Sequence, residues 1–243
     1  MTGKSAIVNG LLLAALAAAV VLAGVAGSRH AADPVCGAIQ IIIEDSLERQ
    51  YVSSSELQQQ LQEAGLWQIG ERLSKIHCQA IETHLLTHPM LRQAECYELH
   101  RGELRIVVSQ RQPLMLVKGD EHYYLDTDRR IMPVRASVNT PVVVVTGRIG
   151  KQQAQGELYD FVAWLGRNKF WREKIHTIHV VTPKMIELED DSRHYTLVLG
   201  TLDGAQKRLN SLQRLYEKGF DQLGYPPYKQ IDLQYTNQII GRK

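Results

Sequence analysis

The chain has little of what usually announces a chemistry. Its three cysteines, Cys36, Cys78 and Cys96, are an odd set without metal-site spacing. Buried free thiols are the expected state, although Cys78 and Cys96 could pair in an oxidising compartment. Charge of one sign is also missing, since 28 Lys and Arg against 26 Asp and Glu leave a formal net charge of +2. Such a balance gives no argument for a nucleic-acid partner, which calls for a concentrated basic patch. No Gly-x-Ser-x-Gly elbow, phosphate loop, dinucleotide fingerprint or His-Glu-x-x-His occurs. His84 and His88 stand four apart on a predicted helix, but nothing completes a ligand set and both read as surface histidines. His176 and His179 fall on opposite faces of a predicted strand. The acidic run Glu189-Asp190-Asp191 reads as a solvated hairpin turn. No catalytic residue, metal ligand or cofactor is therefore expected.

What is present begins with an apolar run. Between Gly10 and Gly27 lies LLLAALAAAVVLAGVA, uncharged and at the lower edge of the roughly 20 residues that span a bilayer. It fits a cleaved signal peptide, with small residues at Val25-Ala26-Gly27, or an uncleaved single-pass anchor. Asp33-Pro34-Val35 ahead of Cys36 argues against a lipid-modified cysteine. Either surviving reading sends the remainder outside the cytoplasm.

The chain is 44% hydrophobic and long enough, at 243 residues, for one or two compact domains. Ile39, Ile41 and Ile43 have strand periodicity. Ser53-Ser-Ser-Glu56 is a capping box opening a helix with Leu57, Leu61 and Ala64 on one face. A second helix is predicted from about Ser74 to Thr87, ended by Pro89. Strands at about Leu91–Leu99 and Glu103–Ser109 follow. This order of strand, helix, helix, strand, strand is a compact α+β unit with two helices on one face of a small sheet.

After Gln112-Pro113 the texture changes to short meander strands at Leu114–Val117, His122–Leu125 and Arg130–Met132. A buried strand at Pro141–Val145, a helix at about Gln153–Asn168 and strands from Ile175, Met185 and Tyr195 come next. A last helix at about Leu202–Lys218 turns Lys207, Arg208 and Arg214 outward. The stretch IDLQYTNQII, Ile231 to Ile240, alternates at Ile231, Leu233 and Tyr235 and is predicted to close the chain as one strand.

These segments resemble the bacterial cell-division family FtsQ (DivIB), in the version found in Bacteroidota. YVSSSELQQQL looks like the first helix of its POTRA domain (polypeptide-transport-associated module), and LLTHPMLRQAECY is similar to the helix end, proline and strand that follow. LRIVVSQRQPLMLV resembles the junction between domains, with Gln110 where many relatives are acidic. HYYLDTDRRIMP resembles the start of the β domain, with Arg129 or Arg130 in place of the usual turn glycine. NKFWREKIHTIHV, YTLVLGTLDGAQKRLNSLQRLY and YKQIDLQYTNQII resemble the later strands and helix.

The resemblance implies a cytoplasmic tail at 1–9, a transmembrane helix at 10–27, a linker at 28–37, a POTRA domain at 38–112 and a mixed β domain with flanking helices at 113–243. It implies a non-enzymatic scaffold of the inner membrane, with its C-terminal domains periplasmic and concentrated at the septum. Its expected partners are the FtsB and FtsL coiled-coil proteins and other division components, with no nucleic acid and no small-molecule substrate. Contact is expected at Gln234, Tyr235, Thr236, Asn237, Gln238 and Ile239, with Lys207 and Arg208 on the preceding helix. The family's arginine before the tyrosine is Gln234 here, so charge pairing there should be missing or relocated. Two rivals are a POTRA-bearing transport or assembly module and an exported enzyme.

Overall fold

The computed structural model describes residues 33–243 except 46, 48, 49, 100, 101, 137, 139, 225, 226, 236 and 237. The expected tail and membrane helix, and most of the linker, lie outside the described residues. Among the described residues no helix is long and apolar enough to cross a membrane.

The first half forms a three-stranded sheet ordered β1-β3-β2, built from β1 (Ala38–Ile43), β2 (Leu91–Leu99) and β3 (Glu103–Gln110). β1 runs parallel to β3 and β2 antiparallel to it. Helices α1 (Ser54–Glu63) and α2 (Cys78–Leu85) lie between β1 and β2 in sequence. Period-2 alternation turns Leu104, Ile106 and Val108 inward, where they join Leu57, Leu61, Ile81 and Leu85 from the helices in one buried cluster. The Ser53 hydroxyl accepts the Glu56 N–H at 3.1 Å, the predicted cap. The second helix is shorter than predicted. Leu73–Lys75 is a separate 3₁₀ turn, and Ile76 is extended so that its side chain enters the core.

The second half is a nine-stranded mixed sheet ordered β12-β11-β10-β9-β8-β7-β4-β5-β6. Its strands are β4 (Pro113–Lys118), β5 (His122–Asp126), β6 (Ile131–Pro133), β7 (Val143–Gly147), β8 (Ile175–Thr182), β9 (Met185–Asp190), β10 (Tyr195–Gly200), β11 (Gln230–Asp232) and β12 (Ile240–Arg242). Helices α3 (Tyr159–Arg167) and α4 (Ala205–Leu215) contribute Phe161, Val162, Leu165, Leu209 and Leu212 to the same buried cluster as Val145, Ile178, Leu188 and Leu197. Both helices are shorter than predicted, with π-type turns at Ala154–Leu158 and Tyr216–Phe220 flanking them. Fully buried Trp171 meets Phe170 edge-on at 4.8 Å and Tyr216 at 5.9 Å.

The β4–β6 end of this sheet serves two cores. Met115, Val117, Tyr123 and Leu125 face the large core, whereas Leu116, Tyr124 and Met132 pack with the first sheet's cluster. Polar groups close the same junction. Buried Gln110 accepts the N–H groups of Tyr51 at 2.8 Å and Val52 at 3.1 Å, and its amide donates to Asp45 at 3.1 Å. A carboxylate at this position would lack that donor and would repel Asp45. Arg111 donates to buried Asp126 at 2.8 Å, and Asp126 also accepts the N–H groups of Asp128 at 2.8 Å and Arg130 at 2.6 Å.

Glu56 completes only half of its predicted capping box, because its carboxylate reaches Arg135 at 2.9 Å and His88 at 3.3 Å. His88 is therefore buried rather than a surface histidine. Arg129 holds the turn position that glycine would favour, with φ of 62°. Its guanidinium offsets the strain by bonding the Gln155 carbonyl at 2.7 Å and Asp160 at 2.6 Å, 4.1 Å above the Tyr159 ring.

Candidate functional site

The predicted final strand is not continuous, and the reason lies in one buried carboxylate. β11 pairs parallel to β10 over Gln230–Asp232, and Leu233 adds one more bond, its N–H donating to the Val198 carbonyl at 2.8 Å. Asp232 is 1% exposed and accepts from the Gln234 backbone at 3.1 Å and its side-chain amide at 3.2 Å. That local turn diverts the chain out of the sheet. It returns as β12, antiparallel to β11, where Arg242 donates to Asp232 at 2.9 Å. A buried charge needs such pairing, since leaving it alone would be strongly unfavourable.

β12 is thus the outermost strand, and among the described residues no strand pairs with its far side. Gly241 lets the Tyr228 ring lie against it, for a Cβ there would stand 2.4 Å from a ring carbon. Between the strands and α4 lies a groove of about 290 Å³ lined by Arg208, Ser211, Leu215, Leu233, Tyr235, Gln238 and Ile239. Leu233 forms its buried floor, while Tyr235 is 52% exposed at its mouth. A neighbouring polar groove of about 540 Å³ runs along the start of α4 past Gly204, Lys207, Asn210 and Arg214, and the two share Ser211.

The expected contact residues divide accordingly. Arg208, Tyr235, Gln238 and Ile239 come together around one groove, and Lys207 faces the adjoining one. Gln234 is exposed, but its amide is tied back to Asp232. Thr236 and Asn237 lie outside the described residues. Arg208 has a structural task beside any contact: it donates to the carbonyls of Asp203 at 2.6 Å, Thr201 at 2.5 Å and Leu199 at 3.2 Å. These bonds close the connection from β10 to α4, and burial pulls the guanidinium below the ordinary arginine value.

Ser211 and Leu215 line the groove and Asp232 and Arg242 pair beside it, although none is among the expected contact residues. The readable signal was a carboxylate inside apolar alternation with an arginine ten residues later. The cation at this edge is Arg242 rather than a residue at position 234.

The other clusters hold no comparable site. Asp190 is buried, not solvated, and accepts from Tyr216 at 2.9 Å and the Ser192 hydroxyl at 2.6 Å. His176 pairs with Asp191 at 2.6 Å, and His179 with Thr146 at 2.8 Å. Among the described residues no three His, Cys, Asp or Glu side chains gather as a metal site.

A three-stranded α+β unit followed by a nine-stranded sheet with a parallel–antiparallel edge narrows the fold, and comparison with known proteins narrows it further. Residues 34–109 match a POTRA-like domain, and residues 112–242 match the family described as FtsQ/DivIB, C-terminal related. No curated protein matches the chain. The second match takes in every strand of the nine-stranded sheet, including the edge that carries the groove. The chain belongs to the FtsQ/DivIB family.

Proposed function

We propose that this family member is a non-enzymatic cell-division scaffold whose second domain docks the FtsB–FtsL pair at the β12 edge, linking early and late division proteins in septum formation. The observation that carries the reading is the outer side of β12, unpaired among the described residues, beside the groove under Tyr235. A partner strand added there would satisfy backbone groups without any catalytic residue, and a side chain dropped into the groove would supply selectivity. Tyr235, Gln238 and Ile239 are the principal contacts, with Gln234, Thr236 and Asn237 in the same stretch. Lys207 and the outer face of Arg208 extend the surface along α4.

Residues 10–27 hold the chain in the inner membrane, with 1–9 cytoplasmic and 28–37 as a periplasmic linker. The domain at 38–112 stands next to the membrane, where recruitment occurs, and 113–243 is the docking domain. Crosslinking and pull-down of the tagged full-length protein from membranes tests this. The wild type should recover two small single-pass coiled-coil proteins. Tyr235→Glu should weaken their binding by about thirtyfold, the effect of losing a ~2 kcal/mol hot spot. Its folding stability should change by less than about 0.5 kcal/mol, as expected of an exposed residue. Equal recovery by wild type and variant would overturn the reading.

A further inference from the structure

We propose that Cys78 and Cys96 form an intramolecular disulfide that ties α2 to β2. The two sulfurs stand 2.9 Å apart, although the residues are 18 positions apart in sequence. Both backbones are already held for the bond. Cys78 is the first residue of α2, and Glu82, one turn further along that helix, accepts the Cys96 N–H at 2.8 Å. The pair is also asymmetric in access. Cys96 is 8% exposed, and burial, then the neighbouring Cys78 thiol, push its thiol well above the usual range. Cys78 is half-buried and lines an open groove with Leu66, Gln79, Thr83 and His84. Cys36 is fully buried, bonds the Ala38 carbonyl through sulfur at 3.6 Å and is left as the odd thiol.

That asymmetry sets the order of events. Cys78, as thiolate, attacks one sulfur of an external disulfide, either oxidised glutathione or a protein disulfide, and expels the other as thiolate. Cys96 then gives up its proton and attacks the Cys78 sulfur, expelling the second thiolate. Two protein thiols lose two electrons, and one external disulfide becomes two thiols. The oxidant, though not the geometry, rests on the exported placement proposed above.

The test equilibrates the purified full-length protein across glutathione redox ratios, blocks free thiols with N-ethylmaleimide and maps peptides by mass spectrometry. A Cys78–Cys96 linked peptide with a single blocked thiol at Cys36 is expected. Closing a loop of this size should raise the unfolding midpoint by about 5–10 °C, and Cys78→Ser and Cys96→Ala should both abolish that rise. Three blocked thiols at the most oxidising ratio, a linkage through Cys36, or a persistent glutathione adduct on Cys78 would each overturn the proposal. Acid-trapped cells should yield the linked peptide too. A bond that forms in the purified protein but is missing from those cells would support the thiol pair and overturn the exported placement instead.

Discussion

The large sheet ends in two strands of equal length and opposite surroundings. At one end β6, three residues long, sends Met132 into the first domain's core and carries Pro133, which has no N–H to offer. At the other end β12, also three residues long, contains no proline, and among the described residues no strand lies beyond it. Beside the first edge, Glu56 of the first domain accepts from Arg135 just past β6, while Gln110 and the Arg111–Asp126 pair are bonded at the same junction. The second is held to its own sheet by Arg242 and Asp232, with Tyr235 exposed beside it. Edge strands invite pairing with other chains unless something blocks them. Here one edge packs into the junction between two domains, and the other is the edge at which a partner strand is proposed to add.

The comparison breaks most visibly at Met132. Met132→Ala should cost about 2–5 kcal/mol, as for a large core side chain cut to alanine. Because Met132 packs in the first domain's core, thermal unfolding followed by probes in each domain should fall together. Loss of stability confined to the second domain would mean that the two cores are independent. Gln110→Glu should cost less, about 1–3 kcal/mol, because it removes the donor to Asp45 and places two carboxylates together. Chemical denaturation reads that change, and Gln110→Glu combined with Asp45→Asn should recover most of it.

The smallest effect is acidic. Burial works to raise the Glu56 carboxyl, but its bonds with Arg135 and His88 outweigh this and hold it below the ordinary glutamate value. A carboxyl depressed in the folded state stabilises the fold above its unfolded value, about pH 4.3, and that contribution fades as pH falls through the folded value. Both Glu56 and Arg135 are more than a third exposed, so solvent screens the pair to about 1 kcal/mol or less. Arg135→Ala should therefore flatten the acid limb of the stability profile below about pH 4.3. An unchanged limb would show that the pair does not help close this end of the sheet.

Much of this architecture was legible from local pattern. The strand–helix–helix–strand–strand order, the Ser53 cap and the meander after Pro113 depend on periodicity and capping, which act over a few residues. The final strand departs from its local pattern for the opposite reason. Ile231, Leu233 and Tyr235 alternate as a strand should, yet buried Asp232 takes both the Gln234 amides, which turn the chain, and Arg242 ten residues on, and pairing that charge outweighs the alternation. Glu56 was likewise read as a partner for its own helix, when Arg135, 79 residues away, takes its carboxylate. The pairing of Arg208 with three carbonyls was equally hidden, since a charged residue on an exposed helix face shows no sign of the loop it closes.

By itself, then, the sequence determined the order of most strands and helices, though not their ends, and the family they resemble, because side-chain periodicity and motif spacing are local properties. Only the tertiary structure decided which sheet edge is closed and which open. It also brought Tyr235 to a groove beside Ser211 and Leu215, and set Cys78 against Cys96. Those outcomes depend on which distant groups meet when two cores are buried, and burial rewards total packing and paired charges rather than any single stretch of chain.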